Sequence, residues 1–252
     1  MSSAALEIRG LCKSFGALNV TSNVNLSLEV GARSALIGPN GAGKTTLINL
    51  MTGSLPPSTG TVLLNGHDLS HASQAERVQR GMVRTFQITR LFRSLTVADN
   101  LRMAILQRPG VRWGLFRPAH KVEGLDAEVE AILALLNLRE RASRKVSELA
   151  YGEQRLIELG LALCLKPKVL LLDEPAAGVP QSETEVIVRA VEQLPKDLAV
   201  LLIEHDMDLV FRLARHITVL VSGAVLMQGT PQEVTSDERV QTLYLGESHG
   251  RH

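Results

Sequence analysis

The chain has 252 residues, 45% of them hydrophobic, and sets 27 lysines and arginines against 26 acids. A net charge of +1 offers no electrostatic footprint for nucleic acid. No apolar run is long enough to span a bilayer: the greasiest stretch, 156–172, is interrupted by Glu158, Lys166 and Lys168. The length suits one large domain or two small lobes. The N-terminus has Glu7 and Arg9 early and lacks a signal-peptide core. Cys12 and Cys164 sit in no metal or redox spacing, which points to a reducing, cytosolic setting.

Apolar strand candidates open the chain at 6–9, 24–30 and 32–37. The third runs into the string GPNGAGKTT at 38–46, which fits the G-x-x-x-x-G-K-[ST] phosphate loop. A loop that wraps a triphosphate must aim successive backbone N–H groups inward, and glycine permits those dihedrals. Gly38, Pro39, Asn40, Gly41, Ala42, Gly43, Lys44, Thr45 and Thr46 are therefore the candidate nucleotide cradle. The helix-like stretch 46–51 aims its N-terminus at the phosphates. Lys44 can reach the β- and γ-phosphates, and the Thr45 hydroxyl can ligate Mg2+.

Further strands are expected at 61–64 and 83–86. From about 89 to 163 the chain reads mainly as helix. Val129, Ile132, Leu133 and Leu136 share one helical face, as do Leu156, Leu159 and Leu163. Inside that stretch, 107–120 (QRPGVRWGLFRPAH) is an irregular basic excursion with the single Trp, either a membrane-proximal contact or a plain surface loop. A buried strand at 169–172 then ends in Asp173 and Glu174. In open α/β sheets ligands bind at the carboxyl edge of such strands. Asp173 is placed to hold Mg2+ through water, and Glu174 to orient or deprotonate an attacking water. Strands at 199–203, 217–221 and 224–228 follow. No internal repeat or low-complexity linker is present.

Taken together, these motifs resemble the ATP-binding subunit of ABC transporters over nearly the whole chain. Gln87, in VRTFQ, matches the family's Q-loop glutamine, which senses Mg2+ and the γ-phosphate and couples to the permease. LAYGE, comprising Leu149, Ala150, Tyr151, Gly152 and Glu153, matches the signature motif that contacts ATP on the opposite subunit. His205, in LLIEHDM, matches the switch histidine at the γ-phosphate, and Phe15 sits where the family has an aromatic that stacks on adenine. The resemblance implies a P-loop NTPase (RecA-like) α/β core at 1–88 and 164–230. It adds an N-terminal antiparallel β segment, an inserted α-helical lobe at 89–163 and a short tail at 231–252. Its implied catalytic residues are Glu174, His205 and Gln87, with ATP and Mg2+ as cofactors and Thr45, Gln87 and Asp173 around the metal.

The strings at 84–101 and 229–247, with DEPAAG, look like the branched-chain amino-acid importer class. That class implies a second, non-identical ATPase subunit, two membrane permease subunits and, indirectly, an external solute-binding protein. It places the chain on the cytoplasmic face of the inner membrane, without nucleic acid. The same class also serves urea, amides and aromatic acids. Two other readings remain from the residues: a soluble ATPase acting on nucleic acid or ribosomes, and a degenerate interaction subunit.

Departures from the family pattern are specific. Ala150 stands where the signature has Ser, Tyr151 where it has Gly, and Glu153 where it has Gln. Pro180 ends the loop after Glu174, where the family has Asp or Asn. Both segments reach across the dimer in the family. Unequal ATP sites, or a neutral subfamily variation, are the two expectations.

Overall fold

Alternating burial builds the first sheet. In β2 (Leu18–Glu29), Val24, Leu26 and Leu28 are buried while their neighbours face out, the pattern of a half-covered strand. β1 (Ala4–Phe15) buries Leu6 and Ile8, then Leu11, so its parity switches. The pairing with β2 shifts register between Ile8 and Leu11, where Gly10 has φ +57°. Such a bulge lets a strand continue while exchanging faces. It explains why the alternation in the sequence marks only 6–9. The computed structural model describes residues 4–85, 91–108 and 124–248. They fall into two units, the first comprising Met1–Met82, Lys168–Glu174 and Lys196–His252, the second Val83–Pro167 and Pro175–Pro195.

In the first unit, β4 (Thr59–Leu64) and β5 (His67–Asp68) complete the antiparallel sheet, in the order β2-β1-β4-β5. The second sheet runs β10-β9-β3-β8-β7-β6. Its strands are β3 (Arg33–Ile37), β6 (Met82–Arg84), β7 (Val169–Asp173), β8 (Ala199–Ile203), β9 (His216–Val221) and β10 (Ala224–Gly229). β3 pairs in parallel with both β8 and β9, and β8 in parallel with β7. Every residue of β7 and β8 is buried. Near-continuous apolar runs such as VLLLD and AVLLI are what a parallel strand covered on both faces requires. α1 (Lys44–Thr52) buries Leu47, Ile48, Leu50 and Met51. These join Leu6, Ile8, Val24, Leu26, Leu171 and Leu201 in one core cluster. Each such side chain contributes about 1.5–3 kcal/mol of burial.

α1 is held at its far end as well. Arg77, on α2 (Gln74–Gln79), is 1% exposed. Its guanidinium donates to the carbonyls of Leu50 (2.8 Å), Met51 (2.5 Å), Ser70 (3.0 Å) and Ala72 (3.1 Å). The last carbonyls of a helix have no partner within it. Arg77 satisfies them with a positive charge at the negative end of the dipole. The unit ends in α7 (Met207–Leu213), α8 (Pro231–Ser236) and α9 (Glu238–Ser248). Thr230 and Glu233 form a reciprocal capping box at the start of α8.

The second unit is built on helices α3 (Val97–Leu106), α4 (Leu125–Leu135), α5 (Tyr151–Cys164) and α6 (Gln181–Glu192). The expected helical faces are present: Val129, Leu133 and Leu136 are buried, as are Leu156, Leu159 and Leu163, while Ile132 is half-buried. Gly160 lets α5 approach closely, since a Cβ there would lie 3.0 Å from Leu101 Cδ2 and from Leu136 Cδ1. Buried Asn100 ties down the turn before α3: its amide donates to the carbonyls of Phe92 and Thr96 and its Oδ1 accepts from Phe92 N–H. Burial pushes the Cys164 thiol up to about 12, so this side chain packs as a small hydrophobe. Among the described residues no helix is long and apolar enough to cross a membrane. The expected strand end at Phe86 and most of the basic excursion, 109–120, lie outside the described residues.

Candidate functional site

The parallel strand order sets the site. Pairing of Leu36 with Ile203 and of Asp173 with Ile203 brings the ends of β3, β8 and β7 to one carboxyl edge of the sheet. The 38–46 loop leaves β3 there, Glu174 follows β7, and Glu204 and His205 follow β8. All belong to the first unit.

The loop is shaped by glycine where nothing else fits. A Cβ on Gly38 (φ +155°) would lie 2.1 Å from the Leu220 carbonyl oxygen. Gly43 is the N-cap of α1, in the left-handed region, and no side chain caps the helix start. A helix start with no side-chain cap, entered through a glycine loop, is the arrangement that suits an anion. The Lys44 ammonium donates to the Gly38 carbonyl at 2.5 Å and the Pro39 carbonyl at 3.0 Å. Lys44 therefore lies across the mouth of the loop. Asn40, Gly41 and Thr45 are exposed, Ala42 is buried, and Pro39 and Thr46 are half-buried.

The loop is braced by a turn that sequence reasoning passed over. Ser222 and Gly223, both with positive φ, join β9 to β10. Two such residues between strands make the twisted hairpin turn that matches strand twist. Gly223 N–H donates to the Ala42 carbonyl (2.9 Å), and Ser22 N–H donates to the Gly223 carbonyl (2.8 Å). A Cβ on Gly223 would sit 2.2 Å from the Val20 carbonyl oxygen. The Ser-Gly pair between two apolar runs was the available signal; its contact with the phosphate loop was not.

Asp173 is 8% exposed at the end of β7. Glu174 has φ +46°, a conformation an L-residue adopts at some cost, and its N–H donates to the Ile203 carbonyl at 2.9 Å. His205 Nδ1 lies 3.9 Å from Glu174 Oε1 and 3.7 Å from Glu204 Oε2. These distances are too long for hydrogen bonds. Glu204, 2% exposed, accepts the His205 backbone N–H at 3.1 Å and so fixes the histidine's backbone. Nothing in the spacing of IEHD singled Glu204 out. Phe15 ends β1 with its ring half exposed, and the Lys13 ammonium stands 5.1 Å from the ring centroid. Gln87 lies outside the described residues.

The signature residues lie in the second unit. Leu149 is buried; Ala150 is the exposed N-cap of α5, and Tyr151 begins the helix. Glu153 Oε2 accepts the Ala150 N–H at 3.1 Å, while its Oε1 accepts from Arg141 at 2.8 Å. Half of a capping box is present; Ala150 has no hydroxyl to return the bond. Gly152 N–H donates to Glu183 Oε2, on α6, at 2.7 Å. Arg155 lies over the Tyr151 ring and donates to the Ala177 carbonyl at 3.1 Å. The loop carrying Ala177 and Gly178 thus packs on the start of α5. Pro180 is the N-cap of α6.

The profile of the ABC transporter family matches residues 21–177, well over half the chain. The chain belongs to the ABC transporter ATP-binding family. A second profile, of the branched-chain amino acid ATP-binding cassette transporter, matches residues 224–250. The high-affinity branched-chain amino acid transport ATP-binding protein BraF of Pseudomonas aeruginosa is 39% identical over 98% of this chain and 100% of its own. LivG of Escherichia coli strain K12, which carries the same description, is 40% identical with the same coverage. A nucleotide-free ATP-binding cassette from an ABC transporter superposes with a TM-score of 0.81 at 31% identity, covering 97% of this chain and 99% of that one. An ADP-bound cassette of an ABC transporter also gives 0.81, at 32% identity, covering 98% and 99%. This ABC ATPase is a P-loop α/β protein that binds nucleotide and hydrolyses ATP.

Proposed function

We propose that the chain is the ATP-hydrolysing subunit of an importer for branched-chain amino acids, docked on membrane permease subunits at the cytoplasmic face. The relatives' printed descriptions and the match at 224–250 support that solute. The observation that carries the catalytic reading is the shared sheet edge, where Glu174, His205 and the glycine-shaped loop emerge together.

Phosphoryl transfer is catalysed by positioning and by charge stabilisation. Lys44 offers the cation for the β- and γ-phosphates, releasing the loop carbonyls it now holds. The first-turn N–H groups of α1 receive phosphate oxygens. Glu174 orients the water and takes its proton; its strained backbone is tied to Ile203, and its carboxylate lies 3.9 Å from His205 Nδ1. His205 donates to the γ-phosphate from beside Glu174, and the Phe15 ring supplies a face for adenine. The exposed Thr45 hydroxyl and the Asp173 carboxylate, with Gln87, make a hard-oxygen donor set of the kind that suits magnesium. That ion, when bound, neutralises phosphate charge. The signature residues Leu149, Ala150, Tyr151, Gly152 and Glu153 serve the ATP held by a second, non-identical ATPase subunit. Ala150 lacks the hydroxyl that would bond that phosphate, so the two ATP sites turn over unequally.

The reading is tested by purifying the tagged chain from mildly solubilised membranes and reconstituting what accompanies it in vesicles. Two polytopic proteins, a second ATPase chain and ATP-driven leucine uptake, given an external binding protein, are the expected result. Uptake of urea or short amides instead would replace the solute. Recovery of ribosomes or DNA without a permease would overturn the importer reading.

A further inference from the structure

The start of α5 already holds an anion. α5 is a helix of 14 residues whose N-cap, Ala150, has no side-chain acceptor. Its second N–H, on Gly152, is taken by the Glu183 carboxylate at 2.7 Å. The seat is tight: a Cβ on Gly152 would lie 2.8 Å from Glu183 Oε2 and 3.1 Å from Glu183 Cβ. Among the described residues no lysine or arginine pairs with Glu183. A half-buried carboxylate without a counter-cation is therefore held by a helix N-terminus alone, where phosphate oxygens are ordinarily received.

We infer that Glu183 is a built-in competitor for the γ-phosphate that the partner subunit's ATP brings to Gly152. The inference rests on the proposed reading of Leu149, Ala150, Tyr151, Gly152 and Glu153 as the segment that meets that ATP. Phosphate and carboxylate cannot share one N–H, and both are negative. Closure on ATP must therefore move Glu183 off Gly152 or bear the repulsion. The carboxylate returns to the N–H when the phosphate leaves. Glu183 thus weakens the closed state and favours release of the spent nucleotide. It touches no reacting atom and acts as a positioning residue. Because Glu183 lies in the first turn of α6, three residues after Pro180, the loop at 176–180 and the start of α5 move with the same latch.

The test is the ATP dependence of hydrolysis by the membrane complex carrying this chain, wild type against Glu183→Gln. The amide keeps an acceptor for Gly152 N–H and removes the charge. KM for ATP should fall about fivefold, the scale of one unit-charge repulsion across roughly 4 Å of high-dielectric surface. The difference should shrink as salt is raised. An unchanged or raised KM overturns the inference. A structural cap would instead lower the melting temperature without lowering KM. ATP affinity of the free full-length chain, which reads its own loop at 38–46, should not move; an equal gain there also overturns it. Should Glu183→Gln fail to fold, Glu183→Ser clears the same seat and carries the same expectation. Lys44→Ala in the same complex separates the two claims. Wild-type hydrolysis there defeats the proposed function, whereas lost hydrolysis with an unmoved Glu183→Gln KM defeats only the latch.

Discussion

Glu174 illustrates how far a single residue can be reasoned from chemistry. A carboxylate after a buried strand, beyond a phosphate loop, already suggested handling of water. The φ of +46° and the bond from its N–H to Ile203 add that the backbone is held in a costly conformation to present it. Glu174→Gln keeps the shape and removes the base. We expect ATP binding within about twofold of wild type and turnover reduced at least ~100-fold, the lower range for general acid–base groups. Single-turnover hydrolysis by the assembled complex measures this, and a wild-type rate would remove Glu174 from the role. Gly223 was not evident in the sequence, because it works through bonds to Ala42 and Ser22, far along the chain. Its neighbours in sequence gave no hint of those partners.

At the scale of elements, α5 begins without the hydroxyl that helix starts prefer. Ala150→Ser should complete the half-built capping box with Glu153 and stabilise the chain by about 1 kcal/mol. Urea unfolding of the free chain checks it; no gain would show that Glu183 and Glu153 already satisfy the helix start. On the proposed reading of unequal ATP sites, the same variant in the membrane complex should raise ATP turnover; unchanged turnover would trace Ala150 to neutral subfamily variation. Between α3, α4 and α5 a second device is electrostatic. Arg108 grips Glu128 with both nitrogens (2.8 and 3.0 Å), and Lys166 reaches it at 3.0 Å. Hydrogen bonds from Arg108, with a smaller share from Lys166, hold the Glu128 carboxyl at about 2, against an ordinary 4.5. A depressed carboxylate stabilises the fold above its unfolded value and loses that contribution as pH falls through the folded one. The side chain is 32% exposed, so after screening the network contributes about 1 kcal/mol. Glu128→Gln should cost about that at neutral pH, and the difference should fade between about pH 4.5 and 2 in urea titrations.

For the whole molecule, the useful quantity is the linkage between ligand and stability. ATP at a hundredfold excess over its dissociation constant adds about 2.7 kcal/mol to whatever unfolds with the site. For a chain of this size that corresponds to a rise in melting temperature of about 5 °C or more. Lys44→Ala should abolish the rise while leaving the ligand-free melting temperature within a few degrees. A variant that still gains the full shift would contradict the phosphate-loop assignment. The antiparallel segment came from the family resemblance, whereas the α/β class was legible because its signals are local: short apolar runs in β3, β7 and β8, and a glycine string between strand and helix. β5, of two residues, and the outer halves of β1 and β2 were not, since they are held by pairing rather than by their own pattern.

Sequence alone determined the chemistry on offer. Lys44 and Thr45 are recognisable because a phosphate loop demands those residue types at fixed short spacing, and Asp173 and Glu174 because they end a buried strand downstream of it, while His205 was read through the family resemblance. Tertiary structure decided which of them share an edge, and what supports them. The Ser222–Gly223 turn under the loop, Arg77 on the far end of α1 and Glu183 on Gly152 are all contacts between residues remote in sequence. No local pattern encodes such a meeting. It arises only when strand order and helix packing bring a particular carbonyl, N–H or charge within about 3 Å of its partner.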